Sequence, residues 1–364
     1  MVRVRGMAYA LDPEHAAGKP VWSALIRHSR SKKTIAPLGG TWCIWPGWLH
    51  GKLLDRKEGL RGNPRAARGA VSAFLHANVT IAEFVYTILL KPRPLRRAAN
   101  AAIRALLPGR IRVGEATVWL NPDDPVISGA LTLGVYERGE IAYFRSRFGA
   151  DMTLVDIGAN VGLYSALALS TPGFRGRVLA IEPHSESRLY LQKTIESNAA
   201  AATGAALVCG HAASDRAETL TLYKNPENKG DNRLYPDPLL RGEETVAADT
   251  LDNICRRYGI ASAQFIKIDV QGAEARVIRG ASGLLAASGD CILMTEFWPY
   301  GLSRCGADGL EYLEMLRDLG FRLYELTGSR GVLESVSSPR ALVERTQGRR
   351  YANLVGVKGN PATA

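Results

Sequence analysis

The chain is poor in cysteine, and the few it has show no spacing that suggests joint work. Cys43, Cys209, Cys255, Cys291 and Cys305 are odd in number and form no CxxC pair. That excludes a disulfide framework or a zinc-site pattern and points to a reducing, cytoplasmic compartment. An uninterrupted apolar run is also missing. The longest apolar segment, Val71 to Leu90, contains His76, Asn78 and Glu83. A spanning helix needs about 20 predominantly apolar residues, and a central Glu costs roughly 2–3 kcal/mol. The segment therefore reads as an amphipathic or buried helix. An interfacial membrane helix is the alternative, favoured by the flanking Arg65, Arg68, Lys91, Arg93, Arg96 and Arg97. The first 33 positions, with recurrent basic residues and no sustained apolar stretch, do not read as a signal peptide.

Acidic residues are scarce in one region only. Residues 1–110 hold 19 Lys+Arg against 5 Asp+Glu, a surplus of 14, whereas the remainder holds 27 against 30. The net charge of +11 thus belongs to the N-terminal region, whose expected partners are phosphates of anionic lipid or nucleic acid; a solvated tail without a partner is the plain alternative. Residues 1–65 lack sustained periodicity yet carry Trp22, Trp42, Trp45 and Trp48 of the six tryptophans, an unusual content for a disordered tail. Residues 66–107 look helical, interrupted at Lys91-Pro92-Arg93-Pro94.

From residue 111 the pattern becomes regular. Ile111–Leu120 reads as a strand pair and Val126–Phe148 as mainly helical. Strands at Thr153–Ile157, Arg177–Glu182, Ala206–Cys209, Glu218–Tyr223, Gln264–Val270, Cys291–Trp298, Phe321–Leu326 and Ala352–Lys358 alternate with helices at Leu163–Ser170, Glu186–Asn198, Gly272–Ala287 and Leu310–Leu319. Such alternation predicts an α/β fold with a mostly parallel, doubly wound sheet covered on both faces.

The strongest local signal is Val155-Asp156-Ile157-Gly158-Ala159-Asn160-Val161-Gly162. In a doubly wound sheet, ligands bind where a strand meets its helix, and glycines let their backbone approach. The spacing here is G-x-N-x-G with an acid ahead of it, not the G-x-G-x-x-G of a pyrophosphate site. An acid at that point suits a ligand carrying an ammonium, as S-adenosylmethionine does. Glu182 ends the next strand 20 residues after Gly162, the spacing at which a carboxylate reaches ribose hydroxyls.

These stretches resemble the FkbM-type methyltransferases, a branch of the class I S-adenosylmethionine-dependent family. The resemblance runs from about Tyr136 to Gly328. It rests on Asp156–Gly162 with Leu163-Tyr164-Ser165, on Ile181-Glu182-Pro183, on Asn228-Lys229-Gly230, and on Thr250-Leu251-Asp252 followed by Phe265–Glu274. It implies a Rossmann-like, seven-stranded domain over 111–364 and does not extend to the first 110 residues; the charge of that basic extension, not the resemblance, suggests peripheral contact of a cytoplasmic enzyme with the inner membrane face. The implied reaction is O-methylation of a hydroxyl on a saccharide, lipid-linked saccharide or related natural product. Gln271 stands where the family pattern has Glu, which puts a charge-dependent role at that position in doubt.

Expected cofactor contacts are Asp156, Gly158, Asn160, Gly162, Tyr164 and Glu182, with Ser214 and Asp215 toward the adenine; a loop cap is the plain reading of the last two. Lys267 and Asp269 lie two apart on one strand and share a face. They are read as an electrostatic helper and a substrate-hydroxyl contact, or else as an ion pair. Glu274 and Glu296 are further catalytic candidates, with Asp269 and Glu274 the ligands if a divalent metal takes part. A helix-terminal charge is the alternative for Glu274. Asn228 and Gly230, within the polar stretch Asn228–Tyr235, are assigned to acceptor binding. His184 and His211 read as satisfied polar contacts, with general-base duty the alternative; Tyr136 and Glu137 precede the glycine turn in a segment that reads as a lid over the site, with a core aromatic the plain reading of Tyr136. The other function classes are an RNA or DNA methyltransferase using the basic N-terminus, and a non-catalytic membrane- or glycan-binding module.

Overall fold

The computed structural model describes residues 104–198 and 206–361. The Trp-bearing stretch 1–65 and nearly all of the helical segment 66–110, Val71–Leu90 included, lie outside the described residues. A short hairpin, β1 (Arg110–Val113) and β2 (Ala116–Trp119), comes first. Two helices follow, α1 (Pro125–Thr132) and α2 (Arg138–Arg147). The expected single helical stretch over 126–148 is broken at Leu133–Glu137, where Gly134 and Glu137 take positive φ. At the start of α1 the Asp124 side chain accepts from Ile127 N at 3.0 Å and Pro125 occupies the first turn, both good helix openers.

The central run is β3 (Leu154–Ile157), α3 (Leu163–Leu169), β4 (Val178–Ile181), α4 (Ser185–Asn198) and β5 (Ala206–Cys209). A side group follows: β6 (Ala212–Ser214), β7 (Glu218–Tyr223), β8 (Glu243–Thr250) and α5 (Leu251–Arg257). Then come β9 (Phe265–Ile268), α6 (Glu274–Arg279), α7 (Ser282–Ala287), β10 (Cys291–Phe297), α8 (Pro299–Arg304), α9 (Gly309–Asp318), β11 (Arg322–Thr327), β12 (Val332–Ser335), α10 (Pro339–Arg345) and β13 (Ala352–Lys358).

Eight strands form the main sheet in the order β12-β11-β13-β10-β9-β3-β4-β5, with β6-β8-β7 a smaller sheet beside it. The five strands β10 to β5 are mutually parallel; β13 is antiparallel to both β10 and β11, so β11 shares the direction of the five, and β12 is antiparallel to β11. The sheet is thus the expected mostly parallel α/β sheet, with one strand more than the expected seven; β12 adds it as a hairpin on β11. In β3, β4 and β9 every residue is buried, the pattern of strands covered on both faces. One apolar layer, including Leu163, Leu167 and Phe144, packs on one face, and another, including Ile254, Leu285, Tyr312 and Leu316, on the other. Among the described residues no helix is long and apolar enough to cross a membrane.

After β3 the chain moves outward through β4 to β5, and later returns to lay β9 on the opposite side of β3. The crevice at the carboxyl ends of β3 and β9 is therefore the topological switch point, where open α/β sheets bind ligands.

Candidate functional site

A cleft opens at that switch point, with about 980 Å³ of unfilled space when its open mouth is included. Its floor is the turn after β3. Gly158 has φ +76°, and a Cβ there would run into the carbonyl of Asp269, which follows β9. Only glycine lets these two strand ends come so close. The N–H groups of Gly158 and Ala159 donate to Ile181 O at 2.9 and 3.1 Å, which ties the turn to β4.

Asn160 is left-handed at φ 48° and donates its N–H to Glu182 Oε2 at 2.8 Å, while His184 N donates to Oε1 at 2.8 Å. Each Glu182 oxygen thus takes one backbone donor and keeps a lone pair for a ligand. Burial pushes its carboxyl up to about 7 against the pull of those two donors. Glu182 and the glycine turn therefore meet at one wall of the cleft.

The other end of the cleft is built from side chains. Asp156 and Lys267 are direct neighbours on β3 and β9, and Asp269 follows. Lys267 Nζ lies 3.3 Å from Asp269 Oδ2 and 5.1 Å above the Tyr164 ring. Burial alone would lower the ammonium, but the charges of Asp269, Glu137 and Asp156 outweigh it and hold the group charged. The Tyr164 hydroxyl donates to Glu137 Oε2. Gln271 Nε2 donates to Asp269 Oδ1 at 2.8 Å and to Glu296 Oε2 at 3.2 Å, so its amide lies between two carboxylates. Burial, then the charges of Asp269 and Glu274, push Glu296 well above the usual carboxylate range.

Glu137, Asn160 and Gln271 are the non-glycine residues with positive φ among the described residues, and all three line this cleft. Such backbone costs of order 1–3 kcal/mol each and persists where the surroundings over-determine it, commonly at ligand sites. The charged lining is Glu137, Asp156, Glu182 and Asp269 against Lys229 and Lys267, a field that favours a cationic guest over a pyrophosphate.

The roof is the 3-10 turn Lys229–Asp231. A side chain at Gly230 would strike Ile127 of α1 and crowd Asn160 Nδ2 and Asn228 Oδ1, so the turn sits on the cofactor loop. Lys229 N donates to Asp124 Oδ2 at 3.0 Å and Lys229 Nζ pairs with Glu186. Three polar atoms here are buried without a partner: Asn160 Oδ1, Asn228 Oδ1 and Asn232 Nδ2. Buried orphans of this kind call for an explanation, and a ligand is one.

The structure places several expected site residues elsewhere. Gly162 does not line the cleft; a Cβ there would meet Leu191 and Thr194 of α4, so it serves helix packing. Asp156 lines the cleft, but its Oδ2 is held by Ser165 N and Oγ at 3.1 and 2.7 Å, and burial raises it to about 6. Ser214 and Asp215 are not part of the lining. Burial would raise Asp215, but paired hydrogen bonds from Arg276 prevail and hold it below the ordinary value, while Ala212 and Ala213 form that wall instead. Glu274 turns to the main chain, accepting from Val270 N and Gly272 N at 3.3 and 3.1 Å. No group of three or more His, Cys, Asp or Glu among the described residues is placed to hold a metal. Glu296 reaches the cleft only through Gln271. His184 contacts Ser187 and Glu244, and His211 contacts Cys209. Tyr136 and Glu137, in the segment for which a lid over the site is one reading, both line the cleft; their approach depends on the left-handed Glu137, which no local pattern announces.

The family model described as the methyltransferase FkbM domain matches residues 156–323, from the first acid of the glycine turn to β11. Those residues are similar to an FkbM methyltransferase domain. Among curated proteins, methyltransferase sdnD of Sordaria araneosa is 30% identical over 35% of this chain and 59% of its own length; the chain thus spans about three fifths of that relative. Among solved structures, the FkbM methyltransferase of Methylobacillus flagellatus KT aligns with TM-score 0.38 and 17% identity over 72% of this chain and 60% of that one. M. jannaschii TYW2 in complex with AdoMet aligns with TM-score 0.35 and 12% identity over 68% and 84%. The match to the FkbM domain model covers the turn, Glu182, Asp269 and Gln271, that is, both ends of the cleft.

Proposed function

We propose that the chain transfers a methyl group from S-adenosylmethionine to a hydroxyl of a saccharide, glycolipid or related natural-product acceptor. The observation that carries the cofactor reading is Glu182, doubly anchored by Asn160 N and His184 N at the glycine turn. A carboxylate fixed in this way is prepared to accept from two neighbouring ribose hydroxyls. The orphan atoms fit the other end of the cofactor: Asn160 Oδ1 and Asn228 Oδ1 would take its ammonium, and Asn232 Nδ2 its carboxylate. When bound, S-adenosylmethionine supplies an electrophilic methyl carbon on a sulfonium sulfur.

The residues at the opposite end suit an acceptor hydroxyl. The Asp269 carboxylate, fixed by Lys267 and Gln271, retains lone pairs to accept the hydroxyl proton. Lys267 keeps the field there from becoming wholly negative. Aligning nucleophile and electrophile in a closed cleft supplies much of the acceleration in such displacements. The surplus of basic residues in 1–110 supports anionic lipid as the partner of that region, and the acidic cleft gives no support to nucleic acid as acceptor.

The test is to incubate the full chain with methyl-labelled cofactor and host extract, then separate polysaccharide, lipid and RNA. Label is expected in a saccharide-bearing fraction. Label in RNA alone contradicts the acceptor reading. In parallel, deleting residues 1–110 should abolish binding to anionic liposomes without altering cofactor affinity.

A further inference from the structure

Outside the cleft, one corner assembled from residues 233–237, α8 and the segment after α10 brings charged and aromatic side chains together. Arg349 lies 5.1 Å from the Tyr300 ring and Arg304 lies 5.4 Å from the Tyr235 ring. Tyr300 packs on Trp298 at 5.4 Å. Between them, the buried Arg233 lies 5.0 Å from Trp298 and 5.6 Å from Tyr235, and is neutralised by Asp231 at 2.6 Å and Asp237 at 3.1 Å.

Arg304 and Arg349 differ from Arg233 in how little holds them. Arg304 Nη2 reaches only the Pro236 carbonyl at 3.4 Å, and among the described residues it has no ion pair. Arg349 Nη2 reaches Asp237 Oδ2 at 3.4 Å, with the side chain 49% exposed. Bonds of that length are near the limit for a hydrogen bond. Both guanidiniums converge on the same Pro236–Asp237 corner. A guanidinium resting on an aromatic face keeps its in-plane N–H fork free, and such a fork binds phosphate or carboxylate bidentately.

The corner adjoins the cleft on two sides, beside Asn232 and, through α8, beside Gln271 of the acceptor end. Residues Asn232 and Leu234 line the cleft, and their neighbours Arg233 and Tyr235 form the corner. Gly272, next to Gln271, is in contact with Gly301 of α8, the helix that carries Tyr300 and Arg304.

We infer that Arg304 and Arg349 form a site for one anionic group, a phosphate or carboxylate carried by the acceptor beside its methylated hydroxyl; the role, though not the site, rests on the methyltransferase reading. The charges limit the guest to a single anion. Arg233, Arg304 and Arg349 stand against Asp231 and Asp237, and residues 111–364 as a whole are slightly acidic, so a polyanionic backbone would be repelled.

The test is calorimetric titration of the full chain with glucose, glucose 6-phosphate, glucuronate and inorganic phosphate, with S-adenosylmethionine titrated into the same samples. Glucose 6-phosphate or glucuronate should bind at least about tenfold more tightly than glucose, the worth of one charge-assisted hydrogen bond. The Arg304→Ala/Arg349→Ala variant should lose that preference while keeping its cofactor affinity, which certifies its fold. The Arg304→Lys/Arg349→Lys variant should keep part of it. The two anionic sugars separate a phosphate from a carboxylate preference. Equal binding of glucose and the charged sugars by the native chain, no binding of any anion, or a preference that survives the double Ala variant would each overturn the site. Failure of S-adenosylmethionine to bind the native chain would instead remove the methyltransferase reading and leave the anion result standing.

Discussion

At one end of the cleft the Glu182 carboxylate is held by two main-chain N–H groups; at the other the Asp269 carboxylate is held by an ammonium and an amide, Lys267 Nζ and Gln271 Nε2. Main-chain donors belong to the fold and survive most substitutions. Side-chain donors are replaceable one at a time. The first end is therefore built for a constant guest and the second for one that evolution can exchange, which is the division expected of an enzyme with one cofactor and many possible acceptors.

The severest test of this contrast joins the two ends. Gly158 packs against the Asp269 carbonyl and has positive φ, so Gly158→Ala should destabilise the fold by about 4 kcal/mol through strain and collision, read as a fall in melting temperature. An unchanged melting temperature would mean the strand ends are not in contact. Next in size, Glu182→Ala should weaken S-adenosylmethionine about a hundredfold, because ribose acceptors are lost and two N–H groups are stranded. In the native chain the same affinity should decline as pH falls through about 7, where burial places the Glu182 proton, since only the ionised carboxylate accepts from both hydroxyls. The Ala variant should lack that slope.

Gln271→Glu probes the exchangeable end. It replaces a donor shared by Asp269 and Glu296 with a third carboxylate, costing about 1–2 kcal/mol when ionised. Like charges raise the new group above its unfolded value. Its folded form therefore holds the proton more tightly, and the variant should match the native chain at low pH and lose stability as pH rises. A penalty independent of pH would refute the crowding of carboxylates there. Smallest is Asp215→Asn, expected to cost about 1 kcal/mol through the Arg276 pair and to leave cofactor affinity within about twofold; a large loss of affinity would return Asp215 to the cofactor wall.

The same contrast governs what could be read from the sequence. The turn from Val155 to Gly162 is contiguous and Glu182 ends the very next strand, so both the parallel sheet and the meeting of that turn with Glu182 were legible. The three residues Ala212–Ser214 have no strand propensity and are a strand only because β8 pairs with them. The expected helix 272–287 breaks at Gly280-Ala281, where Gly280 packs against the carbonyl of Ser214, a contact 66 residues away in sequence and invisible in the local pattern. Gln271 was noticed as a departure, but its use needed Glu296 from another strand beside it. The arginine corner draws on residues 233–237, 298–304 and 349, which lie far apart in the sequence and form no local motif.

The central claim is that this cleft accepts a cationic nucleoside and refuses a pyrophosphate. Side-by-side calorimetric titration of the full chain with S-adenosylmethionine and NAD tests it most directly. Saturable one-to-one binding of the first, with no measurable heat from the second, is the expected result. Comparable affinity for both, or binding of NAD alone, would contradict it.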